Sequence, residues 1–149
     1  MQLAHKEIIR SAFILGSTTS VAKSICVELA NKGCKRFHLL ARDLESNKKL
    51  TNELISNYNA VVSEEKFNLL SSSCIMNASM RRVGEFDLYL ITTGTLGDNY
   101  LARNQIQEAF LISETNYNSL IPWLTAIVTE DRINKPSRLW VFSSVAGDR

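Results

Sequence analysis

The sequence has few cysteines, no long apolar stretch and almost no excess of charge. Its three cysteines, Cys26, Cys34 and Cys74, are odd in number, and no two stand two residues apart. That argues against a disulfide framework and a zinc site, and for reduced thiols with at least Cys26 facing a core. Apolar runs such as Leu88–Ile91 fall far short of the ~20 residues a membrane helix needs. The opening residues 1–10 carry His5, Lys6, Glu7 and Arg10 and do not read as a secretory signal. Seventeen basic and 15 acidic side chains leave a formal charge of +2 and no basic tract, too little to argue for nucleic acid or a membrane surface. Neither His5 nor His38 has a partner at metal-ligand spacing, and there is no internal repeat, low-complexity segment or linker. What remains is 149 residues, 45% hydrophobic and 21% charged, which suits one soluble domain in the cytoplasm.

Apolar runs and helical patterns alternate along this chain. Ser11–Leu15 is short, apolar and followed by Gly16, as a buried parallel strand would be. Over residues 20–32 the spacing of Val21, Ile25 and Leu29 predicts one face of a helix, and Gly33 stands at its C-terminal stop. Arg36–Ala41 predicts the second strand. Asp43 is a candidate N-cap for a second helix bearing Leu50, Leu54 and Tyr58. A third strand is expected over 61–67, a third helix over 71–83, a fourth strand over 86–92 and a fifth over 139–142. Between the last two, residues 103–132 read as helix in two pieces, because Pro122 cannot donate inside a helix. Alternation of this kind predicts an open parallel sheet, doubly wound, with right-handed crossovers.

The first strand runs into Gly16-Ser-Thr-Thr-Ser-Val-Ala22. A glycine-led turn between strand and helix aims backbone N–H groups and the positive helix end at a phosphate. The full Gly-x-Gly-x-x-Gly pattern is absent, and any strand-to-helix turn favours Gly and Ser. Taken alone, the turn reads more readily as a cap. Three other segments change that balance: Thr92-Thr93-Gly94-Thr-Leu-Gly-Asp98 after the fourth strand, Thr115-Asn116-Tyr117 in the helix beyond it, and Ser143-Ser144-Val-Ala-Gly147 after the fifth strand.

In order and spacing, over the whole chain, these segments resemble the short-chain dehydrogenase/reductase family. That family carries a Gly-rich turn, an Asn-Ala-Gly, an Asn, a Ser and finally a Tyr-x-x-x-Lys in the corresponding places. Ser143 to Gly147 is the most specific match. The sequence departs from the pattern where Ser20 and Ala22 replace glycines and where Thr92 and Thr93 replace Asn and Ala. The resemblance implies a Rossmann-type sheet in the order 3-2-1-4-5, and a hydride transfer between NAD(P)(H) and a carbonyl or alcohol. It implies that Gly16, Ser17, Thr18, Ser20 and Val21 meet the phosphates and adenosine ribose. Asn68 would lie near the adenine, and Thr92, Thr93 and Gly94 would let the backbone approach the cofactor. Arg42, with Ala41 rather than an acid before it, favours a 2′-phosphate and hence NADP over NAD; an arginine at a helix start is also commonly just solvated. Asn116 matches the family's active-site Asn, which helps hold a proton-relay water. Ser144, in preference to Ser143, matches the Ser that orients the substrate carbonyl.

A finer resemblance is to the keto-reducing partner of bacterial sugar-lipid epimerase pairs, through Ser143-Ser-Val-Ala-Gly-Asp-Arg149, and implies a sugar or sugar-lipid substrate. The family's subunits associate, so a homo-oligomer is implied as well. No Tyr-x-x-x-Lys occurs in the 149 residues: Tyr58, Tyr89, Tyr100 and Tyr117 all precede Ser144, and the last lysine is Lys135. The expectation is therefore a Rossmann portion, incomplete at its C-terminus and without turnover by itself. The alternative is a non-catalytic nucleotide-binding or interaction module.

Overall fold

A computed structural model describes residues 8–70, 85–131 and 137–142. The helix expected over 71–83, and Ser143, Ser144 and Gly147, lie outside the described residues. Five strands form one parallel sheet: β1 (Ser11–Leu15), β2 (Arg36–Ala41), β3 (Val61–Lys66), β4 (Leu88–Ile91) and β5 (Arg138–Val141), in the order β3-β2-β1-β4-β5. β1 is central, with Ala12 registered between Phe37 of β2 and Leu88 of β4. This is the expected doubly wound Rossmann topology.

Both faces of the middle strands are buried, which is why β1 and β4 read as continuous apolar runs. Ala12, Ile14, Phe37, Leu39, Leu88 and Leu90 face one layer of helices, α1 (Ser20–Asn31) and α2 (Lys48–Tyr58). Phe13, Leu15, Leu40, Tyr89 and Ile91 face the opposite layer, where Trp123 and Ile127 of α5 (Ile121–Asp131) cover them. Each such side chain stabilises the fold by roughly 1.5–3 kcal/mol on burial. The register of β1 against β4 is fixed at its start by Asp87. Its carboxylate accepts from the Arg10 and Ser11 amides, both at 2.9 Å, and from the Ser11 hydroxyl at 3.0 Å.

The helices differ from expectation in detail. On α1 the buried residues are Ala22, Cys26, Leu29 and Ala30, while Val21 is exposed and Ile25 half-buried. Small residues at 22, 26 and 30 let the helix axis approach the sheet, so the larger β-branched side chains sit at its flanks. The exit from α1 agrees with the sequence: Gly33, at φ +98°, ends it, and the Cys34 amide donates back to the Leu29 carbonyl. Asp43 does not cap α2. It accepts from the Glu45 amide and the Ser46 hydroxyl, starting a one-turn 3-10 helix (Glu45–Asn47) that delivers the chain to α2. Two competing helix starts, at Glu45 and at Lys48, stand three residues apart, and the nearer one captured the Asp. Among the described residues between β4 and β5 there are three α-helices rather than two, α3 (Asn99–Asn104), α4 (Ile106–Asn116) and α5, with a 3-10 turn (Asn118–Leu120) before the last. The additional break is at Gln105, which is extended, while Pro122 stands in the first turn of α5, where its missing N–H costs nothing. Among the described residues no helix is long and apolar enough to cross a membrane.

Candidate functional site

The C-terminal ends of β1, β2 and β4 open onto a crevice of ≈ 210 Å³. It lies where the chain order reverses between β1 and β4, the position at which open α/β sheets bind ligands. The turn after β1 forms one wall. Gly16 has φ +93°, and a Cβ there would stand 2.8 Å from Thr93 Cγ2 and 2.9 Å from the Thr93 amide nitrogen. Only glycine can take that conformation at that distance. The turn is held to β2 through one carbonyl: Leu40 O accepts from the Gly16 amide at 3.0 Å, the Ser17 amide at 3.1 Å and the Ser17 hydroxyl at 3.2 Å.

It is held to β4 by a chain of hydroxyls. Thr19, the N-cap of α1, accepts from the Ala22 amide at 3.1 Å and donates to Thr92 Oγ1 at 3.1 Å. Thr92 Oγ1 in turn donates to the Gly16 carbonyl at 2.8 Å. A Ser, Thr, Asn or Asp at an N-cap satisfies one of the orphan amides of the first helical turn. Here the same hydroxyl also fixes the spacing of β1 and β4 at the mouth of the crevice.

The opposite wall is the segment that follows β4. Asn116, the last residue of α4, holds it through a two-point match to one peptide: the Thr95 amide donates to Oδ1 at 2.7 Å, and Nδ2 donates to the Thr95 carbonyl at 2.8 Å. Farther on, Gly97 (φ +59°) packs so closely on α4 that a Cβ would stand 2.4 Å from Ile112 Cδ1. Asp98 caps α3 by accepting from the Tyr100 and Leu101 amides.

The structure brings together half of the residues picked out in the sequence. Gly16, Thr18, Arg42, Asn68, Thr93 and Gly94 all line the crevice. Ser17 does not: it is fully buried behind the turn, bonded to Leu40 and to the side chain of Asn47. Ser20 and Val21 are exposed on the first turn of α1 and do not contribute to the crevice wall. Thr92 is committed to Thr19 and Gly16. Asn68 forms a turn by accepting from the Leu70 amide. Asn116 lies beside the crevice, with both polar atoms of its amide engaged by Thr95. Ser144 lies outside the described residues. Sequence reasoning missed Thr19 as the link to β4 and missed Asn47 altogether. The N-cap spacing of Thr19 to Ala22 was a legible signal for the first; a polar residue buried by tertiary packing leaves none for the second.

The two described thiols are unsuited to chemistry. Burial, and secondarily Cys34 nearby, pushes the Cys26 thiol up to about 12, and burial pushes Cys34 to about 11. Neither thiolate is available near neutral pH. Among the described residues no group of three or more His, Cys, Asp or Glu side chains is placed to hold a metal ion.

No protein-family model matches the sequence, and neither does any curated protein sequence. Solved structures do. A bulky-bulky ketone specific alcohol dehydrogenase from Comamonas testosteroni superposes with a TM-score of 0.83 at 13% identity, over 95% of this chain and 57% of its own. A short-chain dehydrogenase from Sphingobium yanoikuyae, in complex with NADPH, gives 0.82 at 15% identity, over 94% and 56%. YwfH, an NADPH dependent reductase involved in bacilysin biosynthesis, gives 0.77 at 14%, over 95% and 57%. The chain thus spans a little over half the length of these structures. At such identities the likeness is one of fold alone.

Proposed function

We propose that the crevice binds NAD(P)(H), and that the chain is the dinucleotide-binding portion of a cytoplasmic short-chain dehydrogenase/reductase acting on a carbonyl or alcohol. The single observation that carries this reading is Gly16. It is a residue at positive φ, at the C-terminal end of the central strand and directly before a helix N-terminus, packed so tightly on Thr93 that no side chain is tolerated. Such a turn brings the positive end of a helix to the crevice, as a pyrophosphate site does; its Gly16 and Ser17 amides are spent on the Leu40 carbonyl, so the helix end rather than those two amides would meet the anion.

In this reading Gly16, Thr18, Thr93 and Gly94 lie along the phosphates and ribose, Asn68 lies toward the adenine, and Arg42 meets a 2′-phosphate. Arg42 follows Ala41 at the end of β2, and no carboxylate precedes it to compete for a ribose 2′-hydroxyl. That arrangement favours NADP(H). When bound, the nicotinamide would supply or accept the hydride. Asn116 would keep the wall after β4 in place, and Ser144 would hold the substrate carbonyl. Ser143-Ser-Val-Ala-Gly-Asp-Arg149 supports a ketone on a sugar or sugar-lipid as the substrate class. A homo-oligomer is supported by α4, on which Ile106 and Phe110 are exposed and no residue is buried.

A second reading is favoured by one feature. With no Tyr-x-x-x-Lys among the 149 residues, these residues by themselves bind dinucleotide without turning it over. The test of both is direct titration of the purified chain with NADPH and NADH, followed by nicotinamide fluorescence, alongside a reductase assay. Saturable binding with no turnover fits both readings of the 149 residues. Failure of either dinucleotide to bind would refute the assignment of the crevice.

A further inference from the structure

Between Ala41 and Leu50 the chain is hydrophilic apart from Leu44, and it is exposed or half-exposed at every position but one. The exception is Asn47, which is fully buried. Burying an amide costs free energy unless both ends find partners, and a leucine would fill such a place without that cost. Asn47 finds its partner in Ser17: its Nδ2 donates to Ser17 Oγ at 3.0 Å, and its Oδ1 lies 3.1 Å from the same hydroxyl, whose one proton serves either Oδ1 or the Leu40 carbonyl at 3.2 Å. Ser17 is fully buried as well and stands next to Gly16.

The consequence concerns Arg42. Its segment leaves β2 after Ala41, one residue past Leu40, whose carbonyl carries the Gly16–Ser17 turn, and re-enters the core at Asn47, which is bonded to the same turn. In between, Asp43 tightens the path by accepting from the Glu45 amide and the Ser46 hydroxyl. Arg42 is therefore carried on a short loop whose two ends are both anchored to the turn proposed to meet the pyrophosphate. The offset of the loop backbone from the phosphate turn is set by buried hydrogen bonds at its two ends.

We propose that Asn47 is a positioning residue that sets which dinucleotide the crevice takes, by holding the Arg42 loop at a fixed offset from the Gly16 turn through Ser17. This rests on the reading of the crevice as a dinucleotide site. A residue that merely supported the fold would weaken every ligand of the crevice alike. A residue acting through Arg42 weakens those bearing a 2′-phosphate.

Titration of the whole 149-residue chain with NADPH and NADH, by nicotinamide fluorescence, separates these. Asn47→Ala is expected to weaken NADPH by about three- to tenfold, the range one lost hydrogen bond supports, with NADH changed by less than about twofold. Ser17→Ala removes the other half of the same bond by a smaller deletion, and is expected to give the same shift; it carries the test if Asn47→Ala does not fold by circular dichroism. In an Arg42→Ala background, Asn47→Ala should leave the NADPH-to-NADH ratio where Arg42→Ala put it. Equal weakening of both dinucleotides, or an unchanged ratio, overturns the role of Asn47 and leaves the dinucleotide site standing. A wild-type chain that binds neither dinucleotide overturns both.

Discussion

The Thr19 hydroxyl donates to the Thr92 hydroxyl across 3.1 Å, joining the cap of the first helix to the end of the fourth strand. Each hydroxyl in the chain both accepts and donates, from the Ala22 amide through Thr19 and Thr92 to the Gly16 carbonyl. A turn that has Ser20 and Ala22 in place of glycines is thereby held in shape by side chains. Replacing Thr19 with Val removes the cap and the link together and should cost about 1–2 kcal/mol of stability. Thr92→Val should cost about 1 kcal/mol, and the double variant less than the sum, because both deletions break one network. Urea melts of the four proteins read this directly. Additive losses would mean that the two hydroxyls stabilise the turn independently.

Gly16 admits no substitution. At φ +93° an L side chain is strained in itself, and its Cβ would also stand 2.8 Å from Thr93 Cγ2 and 2.9 Å from backbone. The near atom of the backbone cannot swing away as a flexible side chain could. Gly16→Ala is therefore expected to destabilise the chain by about 2 kcal/mol or more and to abolish dinucleotide binding. Gly33→Ala provides the contrast: it has the same sign of φ, but nothing lies within 4 Å of its Cβ, so only the strain of about 1 kcal/mol is expected. Thermal melts that rank the two variants equally would show that contact with Thr93 does not limit Gly16.

How much of this was legible in the sequence depends on the range of the interaction. β1, β2 and α1 were readable because burial on both faces of β1, the cap chemistry around Gly16 and the stop at Gly33 are all local. The choice of buried face on α1 was not, because Ala22, Cys26 and Ala30 are selected by closeness to the sheet rather than by hydrophobicity. Asp43 was misassigned because two possible helix starts, at Glu45 and at Lys48, share one strong capping residue, and local sequence does not rank them. In the crevice, Gly16, Thr18, Arg42, Asn68, Thr93 and Gly94 were picked out through the family resemblance. Those that support it from behind were not: Asn47 is bonded to Ser17, thirty residues earlier in the chain, and no periodicity marks such a pair.

The buried thiols make stability fall at high pH. Cys26 has its pKa raised from 9.0 to about 12, chiefly by burial. The folded state therefore holds the proton where the unfolded chain releases it. Below pH 9 the contribution is fully present; above it, stability declines by up to about 1.4 kcal/mol per pH unit for this group, until the folded pKa is reached. Cys34, raised to about 11 mainly by burial, adds to the decline over a shorter window. Equilibrium unfolding of wild type and Cys26→Ala between pH 8 and 11 tests this. Cys26→Ala should begin less stable by the loss of a buried sulfur and then lose stability less steeply as pH rises. Parallel pH profiles for the two proteins would mean that Cys26 ionises in the folded state.

The two edges of the sheet predict how the chain behaves in solution. β3 ends one side with Glu64, Glu65 and Lys66, and charges on an edge strand resist pairing with another chain. β5 ends the other side with Trp140 and Val141, followed directly by Phe142, all about half exposed at 41%, 47% and 51%. A parallel strand is normally covered on both faces, as β1 and β4 are, and β5 is not. Ile106 and Phe110 of α4 add more exposed apolar surface, at 63% and 65%. Removing such surface from water is worth roughly 25 cal/mol per Å², so association should proceed through β5 or α4. Light scattering of the 149-residue chain is expected to show dimers or larger species that grow with concentration. Val141→Lys should reduce them if the β5 edge is the contact, and Phe110→Lys if α4 is. Because neither substitution touches the crevice, dinucleotide affinity measured at low protein concentration should stay unchanged in both. A monomer at all concentrations would show that these apolar surfaces are covered within a single chain.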